Sequence, residues 1–209
     1  MPSSASQSGT AEDDLVKQDG RLRCWWPDGL DGADPLMVAY HDDEWGVPVS
    51  EDRALFERLA LESFQAGLSW ATILRKREAF RSAFAGFAPR TVAAFGLSDR
   101  ERLLADAGIV RNRAKIDATI KNAGLFLEVA AEHGSFAGYL ATYLPRPAPT
   151  LTSADTWADV PATTPESDSL SVDLRRRGFR FVGSTIVYAF MQSVGLVDDH
   201  LPGCFRYRG

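Results

Sequence analysis

Four of the five cysteine and histidine residues in this chain fall into two pairs near its opposite ends. Cys24 and His41 lie toward the start. His200 and Cys204, spaced H-x3-C, lie toward the finish. Two thiols and two imidazoles make the ligand set of a closed, four-coordinate zinc site, which stabilises structure and leaves no open position for catalysis. The gap from Cys24 to His41 matches no zinc-finger spacing, so two free cysteines and two ordinary histidines stand as the alternative.

Glu62 is the second residue whose placement suggests chemistry. Ser50 or Asp52 is placed to cap a helix running through Leu61, and Leu55 and Leu59 define its apolar stripe. Glu62 follows Leu55 by seven residues and so falls on that same face. A carboxylate aimed at a core is costly unless it is paired or has a task. A frayed helix end that lets Glu62 reach water, or an arginine partner, would explain the pattern equally well. The next residues are Ser63-Phe64-Gln65-Ala66-Gly67-Leu68-Ser69-Trp70. Gly67 should break the helix, Leu68 should stand at the tip of the turn, and Trp70 should begin the next helix. Trp26, Tyr40, Trp45 and Trp70 all lie in the first third of the chain. Such a cluster is commonly core, yet aromatic faces beside a carboxylate also suit a flat, positively charged ligand.

The elements that would position these groups read as helices. Ser69 is placed to cap one carrying Ile73, Leu74, Phe80 and Phe84, and Ser98-x-x-Glu101 reads as a capping box. Lys115–Ala131 has near-helical apolar spacing, and Ser135–Leu144 continues it. The Pro- and Thr-rich segment 145–166 reads as a long crossing loop, 167–177 as a helix stopped by Gly178, and 184–194 as one stopped by Gly195. Strand patterns are confined to 179–182 and 186–188, too little for a sheet. The fold class is all-α. Residues 1 to about 20 are small, polar and aperiodic, and are expected to form a disordered tail ahead of a single domain spanning 21–209.

Basic residues gather at Arg75-Lys76-Arg77, at Arg111, Arg113 and Lys115, and at Arg175-Arg176-Arg177 with Arg180. Each could be a solvated helix face. The third precedes Phe181-Val182-Gly183-Ser184-Thr185 and an apolar helix, the order of a helix-hairpin-helix, in which amides at a helix N-terminus hold a DNA phosphate. The formal charge of −5, from 23 basic and 28 acidic residues, neither supports nor forbids such a local contact. Two cysteines in 209 residues form no disulfide framework and point to a reducing compartment. The N-terminal segment has neither a basic n-region nor an apolar h-region, and no apolar run approaches membrane-spanning length, so a soluble cytoplasmic protein is expected.

Taken together, several strings carry a resemblance. They are RCWW (23–26), AYHDDEWGVP (39–48), LESFQAGLSW (61–70), RKRE (75–78), DAGIVRNRAKI (106–116), TPESDSLS (164–171), RRRGFRFVGSTIVYAFMQSVGLVDDH (175–200) and GC (203–204). The chain resembles the constitutive bacterial 3-methyladenine DNA glycosylases of type I, within the helix-hairpin-helix superfamily. That resemblance implies two small helical lobes with a zinc site joining the termini. It implies structural zinc on Cys24, His41, His200 and Cys204, and base recognition by Glu62. Trp26, Met37, Tyr40, Phe64 and Trp70 would be pocket positions. Gly67 and Leu68 would fill the gap left by the flipped nucleotide, and Gly183, Ser184 and Thr185 would hold the phosphate.

The chain departs from the pattern at Met37, where a tyrosine is familiar, at Phe64, where some members carry glutamine, and at Ala114, where glycine is familiar. Double-stranded DNA carrying alkylated bases is the implied partner of a monofunctional hydrolase expected to be a monomer. The alternatives weighed are a metal-dependent hydrolase, which would need an open coordination position, and a zinc deaminase, whose H-x-E pattern is absent because Asp42 and Asp43 follow His41. A non-enzymatic zinc-stabilised DNA-binding module is the remaining one; it has no reason to bury Glu62 beside Trp70.

Overall fold

The structure, a computed structural model, describes residues 15–24, 34–144, 150–151 and 154–208. Among them are nine α-helices, in the order α1 (Pro35–Asp43), α2 (Asp52–Gln65), α3 (Trp70–Ala83), α4 (Pro89–Ala93), α5 (Leu97–Ala105), α6 (Arg113–His133), α7 (Phe136–Leu140), α8 (Pro165–Arg177) and α9 (Ser184–Ser193). Two short strand pairs complete the order: an antiparallel hairpin of β1 (Leu15–Gln18) with β2 (Arg21–Cys24), and a parallel contact of β3 (Thr150–Leu151) with β4 (Val197–Asp198). The all-α expectation holds. No helix among the described residues is long and apolar enough to cross a membrane.

Local chemistry sets the helix ends. The Glu51 carboxylate accepts from the amides of Arg53 and Ala54 at the start of α2, at 3.1 and 2.7 Å. These are two of the donors that a helix N-terminus leaves without an intrahelical partner. The Ser69 hydroxyl caps α3, and Asn112 caps α6 by accepting from the Lys115 amide at 3.1 Å. At the start of α8, Thr164 and Ser167 bond each other reciprocally, with Pro165 in the first turn. Gly178 closes α8 at φ +102°, in the left-handed region where a side chain is disfavoured.

Several sequence expectations shift. Ser98-x-x-Glu101 is not the box that opens α5; the helix starts one residue earlier, and Asp99 accepts from the Gly96 amide at 3.0 Å. The tail expected through about residue 20 includes β1, which pairs with β2 as far as Leu15 opposite Cys24. Residues 179–182 form the turn between α8 and α9 rather than a strand, and 186–188 lie within α9. Helix α1 falls in a stretch that reads from sequence as an aromatic-rich turn region. Its N-terminus is fixed by Asp34, whose carboxylate accepts from the Leu36 amide at 3.0 Å.

The helices enclose two apolar clusters. The larger is built on α2, α3, α6, α8 and α9 and holds packed phenyl rings, with Phe126 and Phe136 stacked at 4.0 Å between centroids and Phe56 edge-on to Phe126 at 5.3 Å. The smaller gathers Cys24, Met37, Tyr40, Trp45, Ala71, Leu74, Leu201 and Cys204, joining the two ends of the chain. Between them, the segment after α1 crosses the C-terminal end of α9. The Gly46 amide donates to Gln192 O and the Val49 amide to Val194 O, each at 3.0 Å.

Gly195 sits at that crossing with φ +66°, and a Cβ there would lie 2.4 Å from Pro48 N and 2.5 Å from the Val47 carbonyl carbon. Both contacts are backbone, so no side chain can swing aside. Gly195→Ala is therefore expected to cost about 3 kcal/mol or more through combined strain and overpacking. Chemical denaturation of the variant against the parent chain measures it.

Candidate active site and metal centre

A cavity of about 320 Å³ opens between the two clusters. Helix α1 contributes Met37 and Tyr40, and the segment after it Trp45. Glu62 and Gln65 come from the end of α2, Trp70 and Ala71 from the start of α3, and Ala189 and Gln192 from α9. Trp157 reaches in from the crossing loop. Tyr40 and Trp70 face each other with centroids 5.1 Å apart and planes tilted by 52°. The structure thus brings Glu62, Met37, Tyr40 and Trp70 to one cavity.

Glu62 is 3% exposed. Burial pushes its carboxyl up to about 8, against a smaller opposing pull from the Arg58 guanidinium one helical turn earlier. Its Oε2 and the Trp70 indole Nε1 are both buried without a hydrogen-bond partner. The cavity wall therefore carries one unpaired acceptor and one unpaired donor among aromatic faces. Buried polar groups are ordinarily satisfied, so the pair marks a place for a planar ligand with polar edges.

The frame behind this wall is ionic. Glu44 receives both guanidinium nitrogens of Arg77, at 2.7 and 2.8 Å, and also bonds Arg58. Burial opposes its ionisation, yet the two arginines hold Glu44 below the usual carboxylate range. The Arg58 guanidinium then lies 5.5 Å from the Tyr40 ring centroid. One carboxylate between two arginines so fixes α1 against both α2 and α3.

Lys115 belongs to a basic cluster in the sequence, but its side chain turns inward. Its Nζ donates to the carbonyls of Phe64 at 2.8 Å and Ala66 at 2.6 Å, capping the C-terminal end of α2. That end carries the turn in which Gly67 adopts φ +81° and Leu68 projects with 40% exposure. Phe64 does not line the cavity. It follows Glu62 by two residues, about 200° around the helix, and packs against Phe80 and Phe84 at 4.6 and 5.9 Å. Trp26, expected as a further wall, lies outside the described residues.

Gly183, Ser184 and Thr185 begin α9, where the first amides have no intrahelical acceptor. The turn ahead of them is pinned from three sides. Asn122 brackets Arg180 through both its amide and its carbonyl, Ser63 donates to Phe181 O, and Ser171 donates to Val182 O. Lys121, Arg175 and Arg180 border the adjoining depression.

The Cys/His pairs converge. The four ligand atoms lie within 4.8 Å of one another, and all four residues are buried. Cys24 Sγ is 3.7 Å from His200 Nδ1, while Cys204 Sγ is 3.6 Å from His200 Nδ1 and 3.5 Å from His41 Nε2. Metal bonds of ordinary zinc–thiolate and zinc–imidazole length at a tetrahedral angle place sulfur and nitrogen about 3.6 Å apart. The donor set and its spacing fit a metal ion. The outer contacts fit as well. His41 Nδ1 pairs with Asp42 at 2.9 Å, His200 Nε2 donates to the Trp45 carbonyl at 3.2 Å, and the Leu201 amide donates to Cys24 Sγ at 3.3 Å. Each histidine thereby presents its other nitrogen to the centre. Without a cation only one of the two sulfurs ionises readily: the hydrogen bond between them drives Cys24 upward, keeping it a thiol, and Cys204 downward, favouring its thiolate.

Several lining residues have weak or no sequence signals. Gln65 follows Glu62 by three residues and shares its face. Ala189 and Gln192 are likewise one turn apart on α9. Trp157 lies in a loop with no periodicity to place it, and nothing in the sequence sets Lys115 apart from neighbouring basic residues.

Comparison with known proteins agrees with this geometry. The methyladenine glycosylase family model matches residues 30–207. The chain is 47% identical over 187 residues to DNA-3-methyladenine glycosylase 1 of Escherichia coli (strain K12), covering 90% of this chain and 97% of that protein. It superposes on a crystal structure of 3-methyladenine DNA glycosylase I with TM-score 0.83 and 47% identity, covering 89% of this chain and all of the other. A Staphylococcus aureus 3-methyladenine DNA glycosylase I, solved to explain 3-methyladenine recognition, matches with TM-score 0.81 and 37% identity over 85% of this chain and 94% of its own.

The buried carboxyl makes stability pH-dependent in a definite direction. An unfolded glutamate ionises near 4.5, whereas Glu62 in the folded chain keeps its proton to about 8. The unfolded state therefore loses its proton first, so the favourable term is complete below 4.5 and is lost as pH rises through 8. Glu62→Gln removes this penalty. The variant is expected to be about 2–4 kcal/mol more stable than the parent at pH 8, with the difference shrinking toward pH 5. Thermal or urea unfolding at the two pH values checks the trend.

Proposed function

The chain belongs to the methyladenine glycosylase family, and from that premise we propose that it excises 3-methyladenine from alkylated DNA by hydrolysing the N-glycosidic bond. The single observation that carries this reading is a buried, unpaired carboxyl in an aromatic cavity next to a pinned helix-hairpin-helix turn. A base must leave the stack before its glycosidic bond can be reached, which costs a few kcal/mol and least for a damaged base. Leu68, exposed on the turn held by Lys115, is placed to occupy the vacated position in the duplex. The amides of Ser184 and Thr185 at the start of α9 would take a backbone phosphate, with Gly183 allowing close approach.

3-Methyladenine attached to DNA carries a delocalised positive charge, so it is already a good leaving group. Binding it in the cavity against Tyr40 and Trp70 offers the cation electron-rich aromatic surface. Bringing a cation beside Glu62 also favours the carboxylate over the neutral acid, opposing the burial that holds the proton on the empty site. Recognition and ionisation of Glu62 are thus coupled: a neutral adenine gives the buried carboxyl no charge to pair with. Water attacks the anomeric carbon as the bond to the base nitrogen breaks. The base departs with the bonding electrons, which cancel its positive charge, and the attacking water gives up a proton to leave an abasic site. Among the described residues the cavity lining holds no lysine, in keeping with a hydrolase that forms no covalent link to the sugar.

Zinc on Cys24, His41, His200 and Cys204 is the structural ion of this proposal. Four protein ligands complete its coordination, and its effect on the reaction is mechanical. Tyr40 precedes His41 on α1, and the Trp45 ring packs edge-on against His200 at 4.5 Å between centroids. A metal held by those histidines fixes two cavity walls. Action on chromosomal DNA supports a cytoplasmic location.

Two measurements test this. Mass spectrometry of DNA treated with a methylating agent should detect 3-methyladenine released by the parent chain, and Glu62→Gln should slow that release roughly tenfold to a hundredfold in single turnover. An unchanged rate in the variant would remove Glu62 from the chemistry. Elemental analysis should give one zinc per chain. Cys204→Ser should lose the metal and unfold about 10 °C or more below the parent, while its residual activity below that temperature falls far less than that of Glu62→Gln.

A further inference from the structure

Beside the base cavity lies a second space of about 200 Å³, bordered by Val160, Pro161, Ala162, Thr185 and Tyr188. The two spaces have Trp157, Ala189 and Gln192 in common. Ala189 and Gln192 form the floor on α9. Among the described residues Trp157 is the only large apolar side chain that lines both spaces, and it stands on a single turn of 3-10 helix at Trp157–Asp159. That turn is held by its own ends. Thr156 offers both its amide and its hydroxyl to Asp159, at 3.0 and 2.7 Å. On the cavity side the indole packs against Trp45, with centroids 6.2 Å apart and planes at 50°.

We propose that Trp157 is a specificity-determining residue: its indole partitions the base cavity from the apolar space along α9 and sets the largest base the site accepts. The inference rests on the base-excision reading of the cavity and adds the size limit to it. The space behind the indole is lined chiefly by aliphatic and aromatic side chains and by no charged one, with Thr185 and the shared Gln192 the polar members among the described residues. It would therefore receive the apolar alkyl extension of a larger adduct rather than a charged group. With the indole present, only the 320 Å³ cavity is available, near the small end of ligand sites. Met37 also lines the cavity, but with a flexible thioether that can repack around a ligand, so the rigid limit falls to the tryptophan.

The test uses duplex DNA alkylated with methyl- or ethylnitrosourea, with release of 3-methyladenine and 3-ethyladenine followed in single turnover by mass spectrometry. Trp157→Ala is expected to raise the ratio of ethyl to methyl release roughly tenfold or more, the discrimination one methylene commands in an apolar pocket. Trp157→Leu should fall between Ala and the parent chain, since it keeps part of the bulk. If both variants keep their zinc and their cooperative unfolding but lose the two activities in equal proportion, Trp157 is only a stacking wall and the partition is wrong. An unchanged ratio also overturns it. Should Trp157→Ala fail to fold, the ratio measured with Trp157→Leu and Trp157→Phe decides between the same outcomes. If the parent chain releases neither base, the failure belongs to the base-excision reading and not to the partition.

Discussion

Two thiols and two imidazoles drawn from opposite ends of the chain cannot share one buried site as charged groups without a cation to hold them together. The geometry of Cys24, His41, His200 and Cys204 meets that constraint, with donor atoms at tetrahedral spacing and outer contacts that leave the correct ring nitrogens facing inward. The contacts then extend outward. Asp42, which orients His41, is itself held by Arg23 at 2.8 and 2.7 Å, and Arg23 is almost wholly buried. Helix α1 is only nine residues long and has little core of its own, so this chain of contacts fixes it. Because α1 also carries Met37 and Tyr40, the contacts that fix the Cys/His cluster also fix one side of the cavity.

The second constraint is the burial of Glu62. A carboxyl with no partner for Oε2 is unfavourable for the free protein, and the surroundings reduce that cost only in part, through Arg58. Arg58 is in turn shared with Glu44, which Arg77 grips from the other side. The site therefore keeps a latent negative charge that a cationic base can draw out, and stability is spent to keep it. Lys115 handles the same stretch of chain differently. By capping two carbonyls at the end of α2, it holds the Gly67–Leu68 turn in shape at the point where the helix must stop. The buried carboxyl of Glu62 and the exposed Leu68 thus issue from one helix end.

Much of this was legible in the sequence, for reasons that differ by residue. Glu62 stood out because helical periodicity put a charge among leucines, and the structure keeps it there. The helix stops at Gly67, Gly178 and Gly195 follow from the left-handed backbone each adopts. Phe64 was misplaced because a motif position says nothing of which way the helix turns; two residues from Glu62, it can only face the core. Helix α1 escaped notice because its apolar residues follow no amphipathic stripe, being divided between a metal centre and a cavity. The hairpin that reaches back to Leu15 escaped for a related reason: short strands pair through backbone groups, which leave little trace in composition.

The sequence by itself determined which groups could do chemistry and where the helices begin and end, because ligand types, capping residues and apolar spacing act over one or two turns of chain. It also carried the family, through motifs spread over the whole folded region. What only the tertiary structure decided are the relations between distant segments. These are the convergence of Cys24 with Cys204, the inward turn of Lys115, the grip of Glu44 on two arginines, and the arrival of Trp157 over a cavity built by other elements. Such contacts depend on how helices pack, and packing is set by the whole core at once rather than by any residue's neighbours in sequence.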